Sequence, residues 1–337
     1  MPKGEDLEAW PTAEINAKAF AALIPGRYFG DASSQLNSIA FSRTGLQAIV
    51  STNDDSIYLY DLSTGHRART VNSKKYGASH IRFVADATCA IHGSTKIDHT
   101  IRYLSLIDNK YIRYYVGHEG LVTGISTSAN DDMFLSVSKD KTLRLWDSRA
   151  TNCVGAVETS APATAEFDAQ GLCFGLAFSG TLRLYDYRAY QKGPFSKFVV
   201  PAEWSTEDWV AIRFSSCGTL ILICTDIDKL LLLDAVTGEI KHVLQGHLNK
   251  PRFPLKGSFS PDSRYVACGS SDKKIHIWST ETGEMVHSFV KTPHQSAPLI
   301  VEWNPAFISF LSADKKLILW NPVLEDMEEE EQADKTE

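Results

Sequence analysis

The chain is predicted to be an all-β protein, a seven-bladed β-propeller, on three observations. One strand pattern recurs seven times, the copies are spaced as four-stranded blades are, and turn residues divide the intervals into strands. The pattern is an apolar strand closing on an aromatic residue or leucine, usually followed by aspartate. It reads IYLYD at Ile57 to Asp61, LRLWD at Leu143 to Asp147, LRLYD at Leu182 to Asp186 and LLLLD at Leu230 to Asp234. Weaker copies are IRYLS ending at Ser105, IHIWS ending at Ser279 and LILWN ending at Asn321. The position before the last residue falls at Tyr60, Tyr103, Trp146, Tyr185, Leu233, Trp278 and Trp320, at intervals of 43, 43, 39, 48, 45 and 42 residues. A propeller blade takes roughly 40 to 45.

The third interval shows the subdivision. Gly117-His118 precedes a strand near Val122 to Thr127, and Asn130-Asp131-Asp132 turns the chain. Met133 to Ser138 returns, Lys139-Asp140-Lys141 turns again, Thr142 to Asp147 runs out, and a fourth strand begins near Cys153. An aspartate recurs before the third strand as Asp55, Asp98, Asp140, Asp272 and Asp314, where a carboxylate can accept hydrogen bonds in a tight turn. Asp140 is expected to form a buried tetrad with His118, Trp146 and a serine of the second strand, Ser138 or Ser136. His247, Ser270, Asp272 and Trp278 repeat the set. Hydrolytic triads use the same residue types, but here they recur with the blade period, which marks them as structural. The sequence has no Gly-x-Ser-x-Gly elbow, His-Glu-x-x-His, phosphate loop or dinucleotide glycine fingerprint, and no enzyme, metal site or cofactor is expected.

A ring removes exposed sheet edges only when its ends meet. The last repeat runs from about Leu299 through Trp320 and leaves no room for an outer strand before the sequence turns acidic. That strand is expected from the amino-terminal segment, around Lys18 to Phe29, pairing beside Leu317 to Trp320. The predicted organisation is a flexible extension over 1–15, the propeller over 16–323 and a disordered acidic tail over 324–337.

Composition agrees with a folded domain: of 337 residues, 43% are hydrophobic and 22% charged. The net charge of −7 is matched by Glu325 to Glu337 alone, with eight acids and one lysine, so the rest is neutral overall. A neutral body is not the basic surface of a nonspecific DNA binder. Six scattered cysteines without a Cys-x-x-Cys pair predict reduced thiols in a cytosolic or nuclear protein. The acidic amino terminus lacks a signal-peptide core, and no apolar run approaches the roughly 20 residues of a membrane span.

One region breaks the charge balance. Gly65 to His118 holds nine Lys or Arg against three Asp, with Tyr76, Tyr111, Tyr114 and Tyr115 interleaved. Charge-assisted hydrogen bonds from the cations, and the stacking faces and hydroxyls of the tyrosines, suit a phosphorylated peptide.

Within it, SKKYG at Ser73 to Gly77 and KIDHTIRYLSLIDNKYIRYYVGH at Lys96 to His118, with KGPF at Lys192 to Phe195, resemble the WD repeat-containing protein 82 family. That family is shared with the WD-repeat subunit of the yeast COMPASS histone methyltransferase. The similarity runs over roughly residues 30 to 322. It implies a WD-repeat propeller that acts as a nuclear, non-catalytic scaffold, monomeric within a hetero-complex. Such a scaffold joins a histone lysine methyltransferase to transcribing RNA polymerase II by recognising its phosphorylated carboxy-terminal repeats. It also implies membership of type-1 phosphatase and cleavage–polyadenylation complexes in transcription termination. The matched positions are Lys74, Lys75, Tyr76, Lys96, Arg102, Lys110, Tyr111 and Arg113, expected to meet the phosphate or acidic partner.

A reading of another class is a substrate receptor of a cullin-based ubiquitin ligase. LRLWDSR and LRLYDYR place Arg149 and Arg188 in a short pattern that resembles an adaptor-docking box; the alternative is that both arginines cap the turn after a third strand. Direct RNA or membrane binding is not expected.

Overall fold

The computed structural model describes residues 17–29, 34–84, 87–205, 209–322. The repeated apolar strands are buried on both faces: Leu230, Leu231, Leu232 and Leu233 are all inaccessible to solvent. Such a strand must lie inside a sheet with further sheets stacked on each face, and the fold supplies both neighbours.

Seven four-stranded antiparallel sheets form the blades. From the axis outward, blade 1 comprises Leu36–Phe41, Gln47–Thr52, Ser56–Asp61 and His66–Asn72. Blade 2 comprises Ser79–Phe83, Cys89–Gly93, Ile101–Ser105 and Lys110–Tyr115. Blade 3 comprises Val122–Thr127, Met133–Ser138, Thr142–Asp147 and Cys153–Glu158. Blade 4 comprises Thr164–Phe167, Cys173–Phe178, Thr181–Asp186 and Ser196–Val199. Blade 5 comprises Trp209–Phe214, Leu220–Thr225, Lys229–Asp234 and Ile240–Gln245. Blade 6 comprises Ser258–Phe259, Tyr265–Gly269, Ile275–Ser279 and Met285–Phe289.

Blade 7 joins the two ends of the chain. Ile300–Trp303, Phe310–Ala313 and Leu317–Pro322 come from the carboxy-terminal part, and the outer strand is Leu23–Phe29, antiparallel to Leu317–Pro322. The expected closing segment was longer: Ala17–Ala21 forms a short helix instead, which seats Phe20 against Tyr265 and Trp303 at centroid distances of 4.7 and 6.3 Å. Phe20 is fully buried there. The extension over 1–15 and the tail over 324–337 lie outside the described residues. No helix among the described residues is long and apolar enough to cross a membrane.

Closure is visible in the core. Each of the seven interfaces between neighbouring blades has its own apolar cluster, including one that packs Ala48, Val50 and Tyr60 of blade 1 against Leu311, Leu317 and Leu319 of blade 7. Innermost strands are laced by serine: the Ile81 amide donates to Ser38 Oγ, the Phe167 amide to Ser126 Oγ and the Trp303 amide to Ser258 Oγ, at 2.9, 3.1 and 2.9 Å. These bonds satisfy strand amides that would otherwise face only a neighbouring side chain. Strand alternation sends the loop before each inner strand and the loop between second and third strands to one face of the wheel. The remaining loops go to the other face.

Candidate functional site

Blade 2 presents two loops on the first of these faces, 73–77 and 94–100. Ser73 organises the first, accepting hydrogen bonds at its carbonyl from the amides of Tyr76 and Gly77 while its Oγ donates to the Gly77 carbonyl at 3.0 Å. Gly77 sits at φ +71°, and a Cβ there would overlap the Thr95 hydroxyl, so no other residue fits. The Tyr76 carbonyl accepts from the amides of Thr95 and Lys96, each at 2.9 Å, locking the loops together. At the tip of the second loop Ile97, a β-branched residue, is held at φ +69° and is 75% exposed. That conformation is sterically unfavourable and persists only when the surroundings impose it.

Arg102, on the third strand, stands beneath both loops and is only 3% exposed. Its Nη1 and Nη2 donate to the two Asp98 oxygens at 2.9 and 2.7 Å, and Nη1 also donates to Ser94 Oγ. Its guanidinium carbon lies 3.6 Å from the Tyr76 ring centroid, 5.9 Å from that of Tyr111 and 5.7 Å from that of Tyr114. The bidentate bond from Arg102 holds the Asp98 carboxyl at about 2. Tyr111 and Tyr114 reach the same face because the outer strand is bulged. Arg102 pairs with Tyr114 and Leu104 with Tyr111, the register shifting between Tyr103 and Leu104. The Tyr111 hydroxyl shares a 2.7 Å hydrogen bond with Ser73 Oγ, and burial raises its pKa.

The eight residues grouped by sequence therefore separate. Tyr76, Tyr111 and Arg102 form a packed aromatic–cation centre, joined by Tyr114, which was not among the expected site positions. Arg102 has its hydrogen bonds directed to Asp98 and Ser94 and is a pillar rather than a free phosphate ligand. Lys96 is bound through Nζ to Asp55 of blade 1 and ties the loop to the neighbouring blade. Lys74 and Lys75 are exposed and have no ion-pair partner among the described residues; Lys75 Nζ is 4.9 Å from the Tyr76 centroid. Hydrogen bonding from Lys75 lowers the Tyr76 phenol. Lys110 and Arg113 do not join the centre. Lys110 begins the outer strand, at the end away from loop 73–77, and the bulge turns Arg113 to the opposite face of the sheet. There it donates to the Ser148 carbonyl at 3.0 Å.

The blade 3 tetrad forms with Ser136, not Ser138. Trp146 Nε1 donates to Ser136 Oγ at 2.8 Å, Ser136 Oγ lies 2.7 Å from His118 Nε2, and His118 Nδ1 lies 2.8 Å from Asp140. A neutral imidazole donating through Nδ1 satisfies the chain, and burial keeps the His118 pKa low. Ser138 instead shapes the turn, donating to the Gly120 carbonyl and accepting from the Asp140 amide. The expected blade 6 set does not assemble. Register places Cys268 where blade 3 has Ser136, so Trp278 Nε1 donates to the Gln245 carbonyl, Ser270 bonds to the Leu248 backbone, and Asp272 pairs with Lys274 at 2.8 Å. A third set, missed in the sequence, forms in blade 7. Trp320 Nε1 donates to Ser312 Oγ at 2.8 Å, Ser312 Oγ lies 2.7 Å from His294 Nε2, and His294 Nδ1 lies 3.0 Å from Asp314. The shared tripeptide Phe-Leu-Ser at Phe134 to Ser136 and Phe310 to Ser312 was the signal for it.

Arg149 is folded onto its own turn, Nε and Nη2 donating to Asp147 at 2.9 and 2.8 Å. Arg188 Nε donates to the Tyr187 hydroxyl at 3.0 Å. Arg149 thus caps its own turn while Arg188 leans on the neighbouring tyrosine, and nothing in either arrangement favours an adaptor-docking role.

The repeat family described as WD domain, G-beta repeat matches residues 109–147 and 238–279. WD repeat-containing protein 82 of Drosophila melanogaster is 40% identical over 301 residues, covering 89% of this chain and 94% of its own length. The Set1 complex component swd2 of Schizosaccharomyces pombe is 28% identical, covering 92% of this chain and 99% of its own. The COMPASS component SWD2 of Saccharomyces cerevisiae is 30% identical, covering 83% of this chain and 88% of its own.

Proposed function

The chain belongs to the WD repeat-containing protein 82 family, and on that premise we propose that it is a nuclear, non-catalytic scaffold subunit of a Set1/COMPASS-type histone methyltransferase complex. In this reading the first face of blade 2 recognises the phosphorylated carboxy-terminal repeats of RNA polymerase II. The observation that carries it is the pair Lys74–Lys75, two exposed cations on a loop made rigid by Ser73, Gly77 and the Arg102–Tyr76 stack. Rigid presentation lowers the ordering cost of binding, and an ammonium–phosphate hydrogen bond is stronger than a neutral one. Tyr76, its ring centroid 4.9 Å from Lys75 Nζ, adds ring surface for the peptide backbone.

The test is a fluorescence-anisotropy titration with a phosphorylated polymerase-tail peptide. Lys74→Glu combined with Lys75→Glu should weaken binding by about 1.5 to 3 kcal/mol for each charged hydrogen bond lost, with the melting temperature unchanged. Equal affinity of variant and parent removes the assignment. Phosphatase and cleavage–polyadenylation complexes are further assemblies for the same scaffold. Affinity purification with mass spectrometry distinguishes them from the methyltransferase.

A further inference from the structure

Ile97, at the tip of loop 94–100, sits in a turn that isoleucine seldom enters. The Asp98 amide donates to the Lys96 carbonyl at 2.8 Å across it, and its φ is +69°. A hydrogen bond that spans a single residue at positive φ closes a γ-turn of the rare, strained kind. Among the described residues Ile97 is the only β-branched one at positive φ. The turns between second and third strands in blades 1, 3 and 6 put Asp55, Lys141 and Lys273 at positive φ instead.

Both neighbours hold the strained residue in place. Lys96 is bound through Nζ to Asp55 of blade 1, and Asp98 is gripped by the fork from Arg102. The fold gains little packing in return, because the Ile97 side chain stands mostly in solvent. A single exposed isoleucine is ordinary on a protein surface. One kept there at a conformational cost, with little burial to offset it, points to a contact outside the chain.

The backbone also fixes where Ile97 stands relative to the free lysines. The Tyr76 carbonyl accepts from the Lys96 amide at 2.9 Å, so Lys75 and Ile97 each lie one residue from a hydrogen-bonded pair. Their Cα atoms are therefore at most about 14 Å apart, the span of about four extended residues. One short peptide can reach both.

We propose that Ile97 is a specificity-determining contact of the blade 2 face, and that its ligand is a phosphopeptide with a large apolar side chain within about four residues of the phosphate. The inference rests on the phosphopeptide reading of Lys74 and Lys75. Those ammonium groups act as point charges on any phosphate and do not distinguish one sequence from another. Ile97 adds that distinction, because its exposed methyl groups are withdrawn from water only by a peptide with apolar surface to match.

Anisotropy titrations of the full chain with two probes test the proposal. One is a phosphorylated polymerase-tail peptide, and the other is the same peptide with each large apolar side chain replaced by serine. The parent should bind the first about tenfold tighter. Ile97→Asn should lose that preference and bind both probes as the parent binds the second, whereas Ile97→Val should keep most of it. Asparagine enters positive φ more readily than a β-branched residue, so Ile97→Asn should melt at or above the parent temperature. Affinity lost without stability lost separates a contact from a support. A parent that binds both probes alike overturns the proposal. So does an Ile97→Asn protein that keeps the preference, and either result leaves the Lys74–Lys75 reading standing. An Ile97→Asn protein that melts several degrees lower overturns it too, since the isoleucine then serves the loop. If Lys74→Glu combined with Lys75→Glu binds both probes as the parent does, the phosphopeptide reading fails and takes this proposal with it.

Discussion

The Arg102 guanidinium lies 3.6 Å from the centroid of Tyr76 while both its Nη atoms grip Asp98, so one buried cation joins loop 73–77 to loop 94–100. The stack and the fork both need a planar, delocalised group, and an ammonium supplies neither. Arg102→Lys should therefore destabilise the protein by about 2 kcal/mol, a value kept modest because Asp98 is partly solvated. It should also weaken phosphopeptide binding by freeing the loop that presents Lys74 and Lys75. Urea denaturation and the anisotropy titration check the two halves separately. Unchanged peptide affinity in a destabilised Arg102→Lys protein would show that the stack serves stability alone.

The tetrads allow a comparison between serines two residues apart. Ser136→Ala removes the shared partner of Trp146 Nε1 and His118 Nε2, two buried polar atoms, and should cost about 2 to 4 kcal/mol. Ser138→Ala loses only its turn bonds to Gly120 and Asp140 and should cost about 1 kcal/mol. Ser312→Ala in blade 7 should resemble Ser136→Ala. Thermal melts of the three variants rank them, and an equal loss at Ser136 and Ser138 contradicts the assignment.

The blade count was legible because the residue before the recurrent aspartate must be large and apolar to fill the space between two stacked sheets, as Tyr60, Trp146, Tyr185 and Leu233 do, and Trp278 does the same before Ser279. The closing strand was legible by subtraction, since a blade left with three strands exposes an edge. Side-chain pairing was harder to read. Ser138 and Ser270 align by their distance from the turn aspartate, whereas the hydrogen bond follows cross-strand register from the tryptophan, which selects Ser136 and Ser312 and lands on Cys268 in blade 6. On blade 2 a single bulge brings Tyr114 to Arg102 and sends Arg113 away, and a one-residue shift of face leaves no trace in composition.

Closure of the wheel rests on the amino-terminal segment. Phe20 is fully buried against Tyr265 and Trp303, and Leu23 and Phe29 anchor the two ends of the outer strand of blade 7. Phe20→Ala should cost about 3 to 5 kcal/mol. Deleting residues 1–32 removes the strand itself, exposes the edge of Leu317–Pro322, and should lower the melting temperature far more than Phe20→Ala does. A truncated protein that melts where the parent does would mean that the ring holds without its latch.

Mild acid should destabilise the fold through buried histidines. Burial lowers the His92 and His247 imidazoles to about 4, and lowers His118 and His276 below the ordinary value of 6.5. Below pH 6.5 the unfolded chain takes up protons that the folded chain resists, His92 and His247 until about pH 4. Unfolding then binds protons, and stability falls as pH falls through that window. The carboxyls of Asp98, Asp140 and Asp314 are also depressed, by hydrogen bonds in the folded state, and their contribution is lost only below the usual carboxylate range, so the two effects separate along the pH axis. His92 is fully buried beside Tyr111, its ring centroid 5.8 Å away, and the positive charge of Arg102 adds to the penalty on its imidazolium. Each such histidine contributes up to about 1.4 kcal/mol per pH unit to the slope. Denaturant unfolding between pH 7 and pH 4.5 should show this decline, and His92→Phe should make it shallower by up to one proton's worth. Stability independent of pH across the window would require these imidazoles to be charged inside the fold, against the burial that dominates at His92 and His247.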